Sequence, residues 1–349
     1  MTIEGTRKAG ARIADLDALR GLAALTVVLF HYTTRYEELY GHEAPLLLSV
    51  PWGHYGVQLF FGISGFVIFM TLDRTRSLAD FAVSRASRLY PAYWTAMALT
   101  TAAMLIAGMD ALLVSPAAFA ADLTMLQGFV GAESVDGVYW TLGVELAFYT
   151  VMAALFHFRL LGRIEPLLLA WMGLHWFWTF SPALLGIEPS WLLGSLVVQA
   201  HIPYFAIGIA AFRLRSAAAP GWPLAVIGTA LATVAACDGF ASLLVAAATA
   251  ALLLLVALRG GIAGLGARPL VWLGAVSYSL YLLHQYIGFA MIARLEAAGL
   301  DPHAALAATL GAVLLLAAAV TFLVERPALN AIRTWYRGRC APAAAAAAA

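Results

Sequence analysis

The sequence predicts an all-α protein: a polytopic transmembrane helical bundle of about 10 spans with N- and C-termini cytoplasmic. Three observations predict it. Of the 349 residues, 63% are hydrophobic and 11% charged, where a soluble domain carries about 25% charged residues. Apolar runs long enough to cross a bilayer recur along the chain. The basic residues gather on one side of those runs.

The runs fall at 19–35, 54–72, 92–113, 139–158, 166–181, 196–212, 222–238, 240–258, 270–292 and 304–324. Each approaches the roughly 20 residues that a helix needs to cross hydrocarbon. The fifth and sixth flank Ser181 to Ser195, an apolar loop with Trp and Pro that lies in the interface or re-enters. With the N-terminus inside, 18 of the 20 basic residues face the cytoplasm and only Arg35 and Arg294 face outward. That asymmetry fixes the orientation and requires an even number of spans. Residues 1–340 read as a single integral-membrane domain and 341–349 as a low-complexity Ala-rich tail. No internal repeat is visible, which counts against a transporter built from two related halves. Met1 to Asp17 hold charges and no apolar core, so no cleavable signal peptide is expected before the first span. Cys237 and Cys340 have neither metal nor disulfide spacing.

The first run holds the most informative pair. Ten residues separate Arg20 from His31, all apolar or small except Thr26. On a helix the imidazole lies roughly 16 Å from the arginine along the axis, about half of a bilayer core. Polar side chains are expensive at that depth, which makes each a candidate for function. The plainer alternative makes Arg20 an interfacial anchor and His31 a helix–helix hydrogen bonder.

After the second run come Arg85 and Arg88, three apart and on one face if the segment before Pro91 is helical. Two adjacent guanidiniums suit a phosphate or pyrophosphate; they also suit lipid headgroups on a positive-inside surface. Glu145 stands about two turns into the fourth run, either buried and neutral, paired with a cation, or part of a polar site. Gly62, Ser64 and Gly65 in the second run allow close helix packing. Ser277, Tyr281 and His284 share one face of the ninth run, which lines a cavity or bonds across helices. His201 reads as a packing or interfacial residue. Glu325-Arg326-Pro327 reads as a structural corner at the end of the last run. No histidine pair has zinc-ligand spacing, and there is no nucleophile elbow, P-loop or dinucleotide fingerprint. Nucleic-acid binding has no basic–aromatic soluble face to support it.

Taken together, six motifs in order and spacing resemble the integral-membrane acyltransferase family 3. They are Leu16-Asp17-Ala18-Leu19-Arg20-Gly21-Leu22 with His31, Phe60-Phe61-x-Ile63-Ser64-Gly65-Phe66, Arg85-x-x-Arg88-Leu89-Tyr90-Pro91, Tyr139-Trp140-Thr141-Leu142-x-x-Glu145, Ser277-Tyr278-Ser279-Leu280-Tyr281-Leu282-x-His284, and Glu325-Arg326-Pro327. The resemblance covers residues 15 to about 330 and implies a bacterial O-acyltransferase of sugars, surface glycans or secondary metabolites in the cytoplasmic (inner) membrane. The esterase-like domain fused to some members is not expected here. The resemblance further implies an acyl-CoA donor, commonly acetyl-CoA, reached from the cytoplasm, and a carbohydrate or glycosylated small-molecule acceptor. His31 matches the family's essential histidine, Arg20 its partner, Arg85 and Arg88 the paired arginines, and Glu145 the acidic residue of the fourth-span motif.

The chemistry is compatible. CoA carries a pyrophosphate and a ribose phosphate for the arginines. Its thioester is already activated, so no metal is needed. Histidine suits removal of the acceptor's proton, with an unperturbed pKa near ~6.5; a covalent acyl-histidine is the alternative. Glu145 would orient His31 or bond the acceptor. A transporter or flippase for a lipid-linked or small polar substrate is the rival reading, since it too places ionisable groups within a membrane. A scaffold without catalysis has little reason to bury them.

Overall fold

The computed structural model describes residues 13–215, 219–259 and 261–346, with side chains to residue 339. Arg7, Lys8 and Arg12, counted on the inner side from sequence, lie outside the described residues. Every described regular element is a helix. The principal ones are α1 (Ala14–Phe30), α2 (Gly56–Leu72), α3 (Leu78–Ala107), α4 (Trp140–His157), α5 (Ile164–Leu185), α6 (Ile202–Leu214), α7 (Gly221–Cys237), α8 (Gly239–Arg259), α9 (Arg268–Leu283), α10 (Gln285–Ala297), α11 (Pro302–Val320) and α12 (Arg326–Ala346).

Among the described residues, four stretches are long and apolar enough to cross a membrane: Pro51–Leu72, Gly137–His157, Gly239–Arg259 and Pro302–Arg339. α7 is apolar but shorter. Polar residues stand within two of the other expected spans. α1 carries Arg20 and runs directly into His31, and α3 opens with a charged segment. Large apolar side chains stand exposed on the outside of the bundle, among them Ile106, Phe240, Leu315 and Leu323. Such a surface suits hydrocarbon rather than water.

Close backbone approach sets the bundle. α1 packs most extensively against α9. A Cβ on Gly21 would stand 2.5 Å from the Gly274 nitrogen, and one on Gly274 would overlap the Asp17 carbonyl, so only glycine fits at this crossing. α2 meets α6 in the same way, Gly65 lying on the Phe205 carbonyl and Gly208 on that of Gly62.

Two elements differ from the sequence reading. The loop expected between the second and third runs is helical, and α3 continues from Leu78 through Pro91 to Ala107. The Ser77 side chain caps it, accepting from Asp80 N at 3.1 Å. The expected ninth span, 270–292, is divided at His284 into α9 and α10. Side chains account for the break. The His284 ring takes the Tyr281 carbonyl at 2.8 Å, and Tyr32 Oη donates to the His284 carbonyl at 2.8 Å.

Candidate active site

A cavity lies where α1, α2, α3, α4 and α9 converge. Arg20, Arg85, Arg88 and Glu145 all line it, so four of the five residues expected at the site are brought together. The helical continuity of α3 puts Arg85 and Arg88 on one face, as the spacing requires. Arg85 sits 6.0 Å from the ring centres of Phe81 and Tyr149, and Arg88 lies 5.6 Å from that of Tyr278. These aromatic contacts hold the guanidiniums at the cavity wall.

The carboxylates around the arginines have separate tasks. Glu145 Oε1 accepts from Ser64 Oγ at 2.6 Å and from Tyr149 Oη. Its hydrogen bonds thus tie α2 to α4 on the arginine side, and neither runs to His31. Ser64, read from sequence as a packing residue, is also a polar member of the site. Glu325 is fully buried, forms an ion pair with Arg88, and accepts from Ser279 Oγ at 3.2 Å. The sequence reading made Glu325 part of an interfacial corner; it is instead the internal counter-charge of a site arginine. Its signal was a carboxylate directly after an apolar run. A further guanidinium, Arg333 on α12, donates to Ser87 Oγ at 3.3 Å and to the Ser84 carbonyl at 3.2 Å.

His31 stands at the other end of α1 and lines a second cavity, with Gln58, Trp140, Gln285 and Tyr286. Val57 and Tyr281 line both cavities and form the wall between them. The buried amide oxygens of Gln58 and Gln285 have no hydrogen-bond partner among the described residues. They are acceptors suited to hydroxyl donors.

The backbone around His31 is shaped locally. A single π-turn, His31–Arg35, follows α1. Such turns are rare and frequent at functional sites. His42 Nε2 donates to the Tyr32 carbonyl at 3.0 Å, and His42 Nδ1 bonds Glu296 at 2.6 Å. The His31 ring is gripped on one edge: Nδ1 lies 2.9 Å from the Val27 carbonyl and 3.1 Å from His284 Nε2. The face shared by Ser277, Tyr281 and His284 therefore serves the site, with Ser277 on the first cavity, Tyr281 between the two and His284 against His31. His201, by contrast, packs against the rings of Phe61 and Trp140, the role read from sequence.

A buried carboxyl braces the rim. Asp136, just before α4, accepts from Tyr286 N at 3.1 Å and Val138 N at 3.2 Å. Burial pushes its pKa up to about 7, against the two N–H bonds and with some help from Asp122.

The arginines thus line one cavity and His31 another, with Val57 and Tyr281 shared between them. The chain belongs to the acyltransferase family 3, an acyltransferase domain that matches residues 13–324. It is an enzyme, an acyltransferase transferring groups other than aminoacyl groups. Exopolysaccharide production protein ExoZ of Rhizobium meliloti (strain 1021) is 28% identical over 304 residues, 80% of this chain and 90% of that relative. Nodulation protein 10 of Rhizobium leguminosarum bv. viciae is 33% identical over 128 residues, 32% of this chain and 34% of that relative. The chain thus spans about a third of the latter's length in that match. No solved structure matches it.

Proposed function

We propose that this protein moves an acyl group, most simply acetyl, from acyl-CoA to a hydroxyl of a carbohydrate or glycosylated acceptor, with His31 as general base. It does so as a multi-pass protein of the bacterial cytoplasmic (inner) membrane, with about ten spans and both termini cytoplasmic. One observation carries the reading: the arginine cluster and His31 occupy two cavities that share a wall at Val57 and Tyr281. The phosphates of CoA suit Arg20, Arg85 and Arg88. The pantetheine arm is a long flexible chain, and the roughly 16 Å along α1 from Arg20 to His31 is a distance such a chain can cover. The printed name of the ExoZ relative, exopolysaccharide production, agrees with a carbohydrate acceptor.

The reaction then needs one base. The acceptor hydroxyl gives its proton to His31 as its oxygen attacks the thioester carbonyl. The C–S bond breaks, the ester forms, and the CoA thiolate recovers the proton from the imidazolium. The thioester is already activated and the scheme calls for no metal. Glu145 holds Ser64 and Tyr149 at the arginine side and completes the donor pocket rather than the base.

The test is transfer of labelled acetyl from acetyl-CoA to glycans in membranes carrying His31→Ala at matched expression. Loss of about 10²-fold or more is expected for removal of a general base; retained transfer overturns the assignment. Arg85→Ala with Arg88→Ala should abolish the thermal stabilisation that CoA gives the purified protein. Unchanged stabilisation would return both arginines to a topological role.

A further inference from the structure

We infer that His284 is the positioning residue of the reaction: it fixes the His31 tautomer so that His31 Nε2 is the base. This rests on the reading of His31 as general base. The assignment follows from which ring nitrogens face carbonyls. A carbonyl oxygen only accepts. His284 Nδ1 is 2.8 Å from the Tyr281 carbonyl, so Nδ1 carries the hydrogen. In the neutral ring, His284 Nε2 is then a bare lone pair. It lies 3.1 Å from His31 Nδ1. His31 Nδ1 is also 2.9 Å from the Val27 carbonyl, so it too carries a hydrogen. Both partners of His31 Nδ1 are therefore acceptors, and the proton-free nitrogen of His31 is Nε2, on a side chain that lines the second cavity.

The Val27 carbonyl is a backbone acceptor of the same helix and also takes the backbone N–H of His31. The His284 lone pair is the side-chain acceptor that reaches the same nitrogen from α9. His284 is itself fully buried and held from both sides. Tyr32 Oη donates to its carbonyl at 2.8 Å, and the ring packs edge-on to His31 with centroids 4.8 Å apart and planes at 73°. When His31 takes the acceptor's proton at Nε2, its Nδ1–H keeps the same partner, so the imidazolium forms without reorientation. His284 does not pass the proton on, because its own N–H ends on a carbonyl.

The test uses the full-length protein in detergent, with acetyl-CoA as donor. His284→Leu removes the acceptor at similar size, and His284→Gln can return an amide oxygen to it. His284→Leu should lower kcat on the order of 10- to 10²-fold, part of the ~10²–10⁴ a general base contributes, with the KM for acetyl-CoA unchanged. His284→Gln should recover most of the rate. ¹⁵N spectra of histidine-labelled protein should show His31 protonated at Nδ1 in the wild type and in His284→Gln, and a mixture of tautomers in His284→Leu. Wild-type kcat in His284→Leu, or an unmixed Nδ1–H tautomer in that variant, overturns the inference; so does a His284→Gln variant no better than His284→Leu in both readouts. If the wild type transfers no acyl group, the proposed function fails, while the spectra still decide whether His284 sets the tautomer.

Discussion

A carboxyl buried without a cation keeps its proton to higher pH than one in water, and Asp136 is such a group. Its pKa of about 7 stands above the ordinary aspartate value of ~3.9. Between those values the folded chain binds the extra proton. The stabilisation is thus complete below the unfolded value and lost as pH rises through about 7. The apparent melting temperature in detergent should fall between pH 5 and pH 8, and Asp136→Asn should flatten that slope; an unaltered slope would remove Asp136 as its source. The buried Arg88–Glu325 pair gives a second residue-scale prediction. Glu325→Gln should cost about 3–5 kcal/mol by removing the buried carboxylate that pairs with Arg88, and adding Arg88→Gln should recover part of it. Strict additivity in thermal unfolding would show that the pair does not couple. Arg20, His31, Arg85, Arg88 and Glu145 were legible because each breaks a local rule, a polar group in or beside an apolar run. The partners of these residues were not. Glu325 lies far from Arg88 in sequence, and His284 is 253 positions from His31. No local spacing announces a contact that only packing creates.

At the scale of elements, α1 is the rule that reads the site, and α9 is what holds it still. Helix α1 was legible from Arg20, His31 and the apolar residues between them. The π-turn at its end was not, because it depends on His42 arriving from a loop to take the Tyr32 carbonyl. The continuity of α3 through Pro91 was missed for a similar reason: Pro disfavours the helix locally, and the packing of α3 against α12, α9 and α10 outweighs that preference. The α1–α9 crossing offers the sharpest test. Any side chain on Gly274 meets the Asp17 backbone. Gly274→Val should therefore part the helices, cost on the order of 1–3 kcal/mol, and reduce acyl transfer by misaligning His31 and His284. Normal stability and activity in Gly274→Val would mean that the crossing does not set the site.

Across the whole molecule, contacts between distant segments sort into two sets. Near Asp15 and Asp17 lie residue 261, Gly274 and the start of α9, while Arg333 reaches Ser84 at the start of α3. At the opposite ends of the same helices, His42 meets Glu296, Leu47 N–H donates to His303, Arg294 donates to the Ile106 carbonyl, and Asp136 meets Tyr286. The first set contains the segments that the arginine count assigns to the cytoplasm, and the second those it assigns to the outside. Under the proposed topology, such a bundle would present the arginine-lined cavity to the cytoplasm and the His31 cavity to the outside. Leu47, 93% exposed, marks the second side, and Arg74, exposed after α2, marks the first. In a chain with Cys237 and Cys340 replaced by serine, Leu47→Cys should react with a membrane-impermeant maleimide in intact spheroplasts. Arg74→Cys should react only after the membrane is opened. Labelling of both from one side would collapse the two-compartment arrangement, and with it the separation of a cytoplasmic donor from an acceptor approaching His31 across the bilayer.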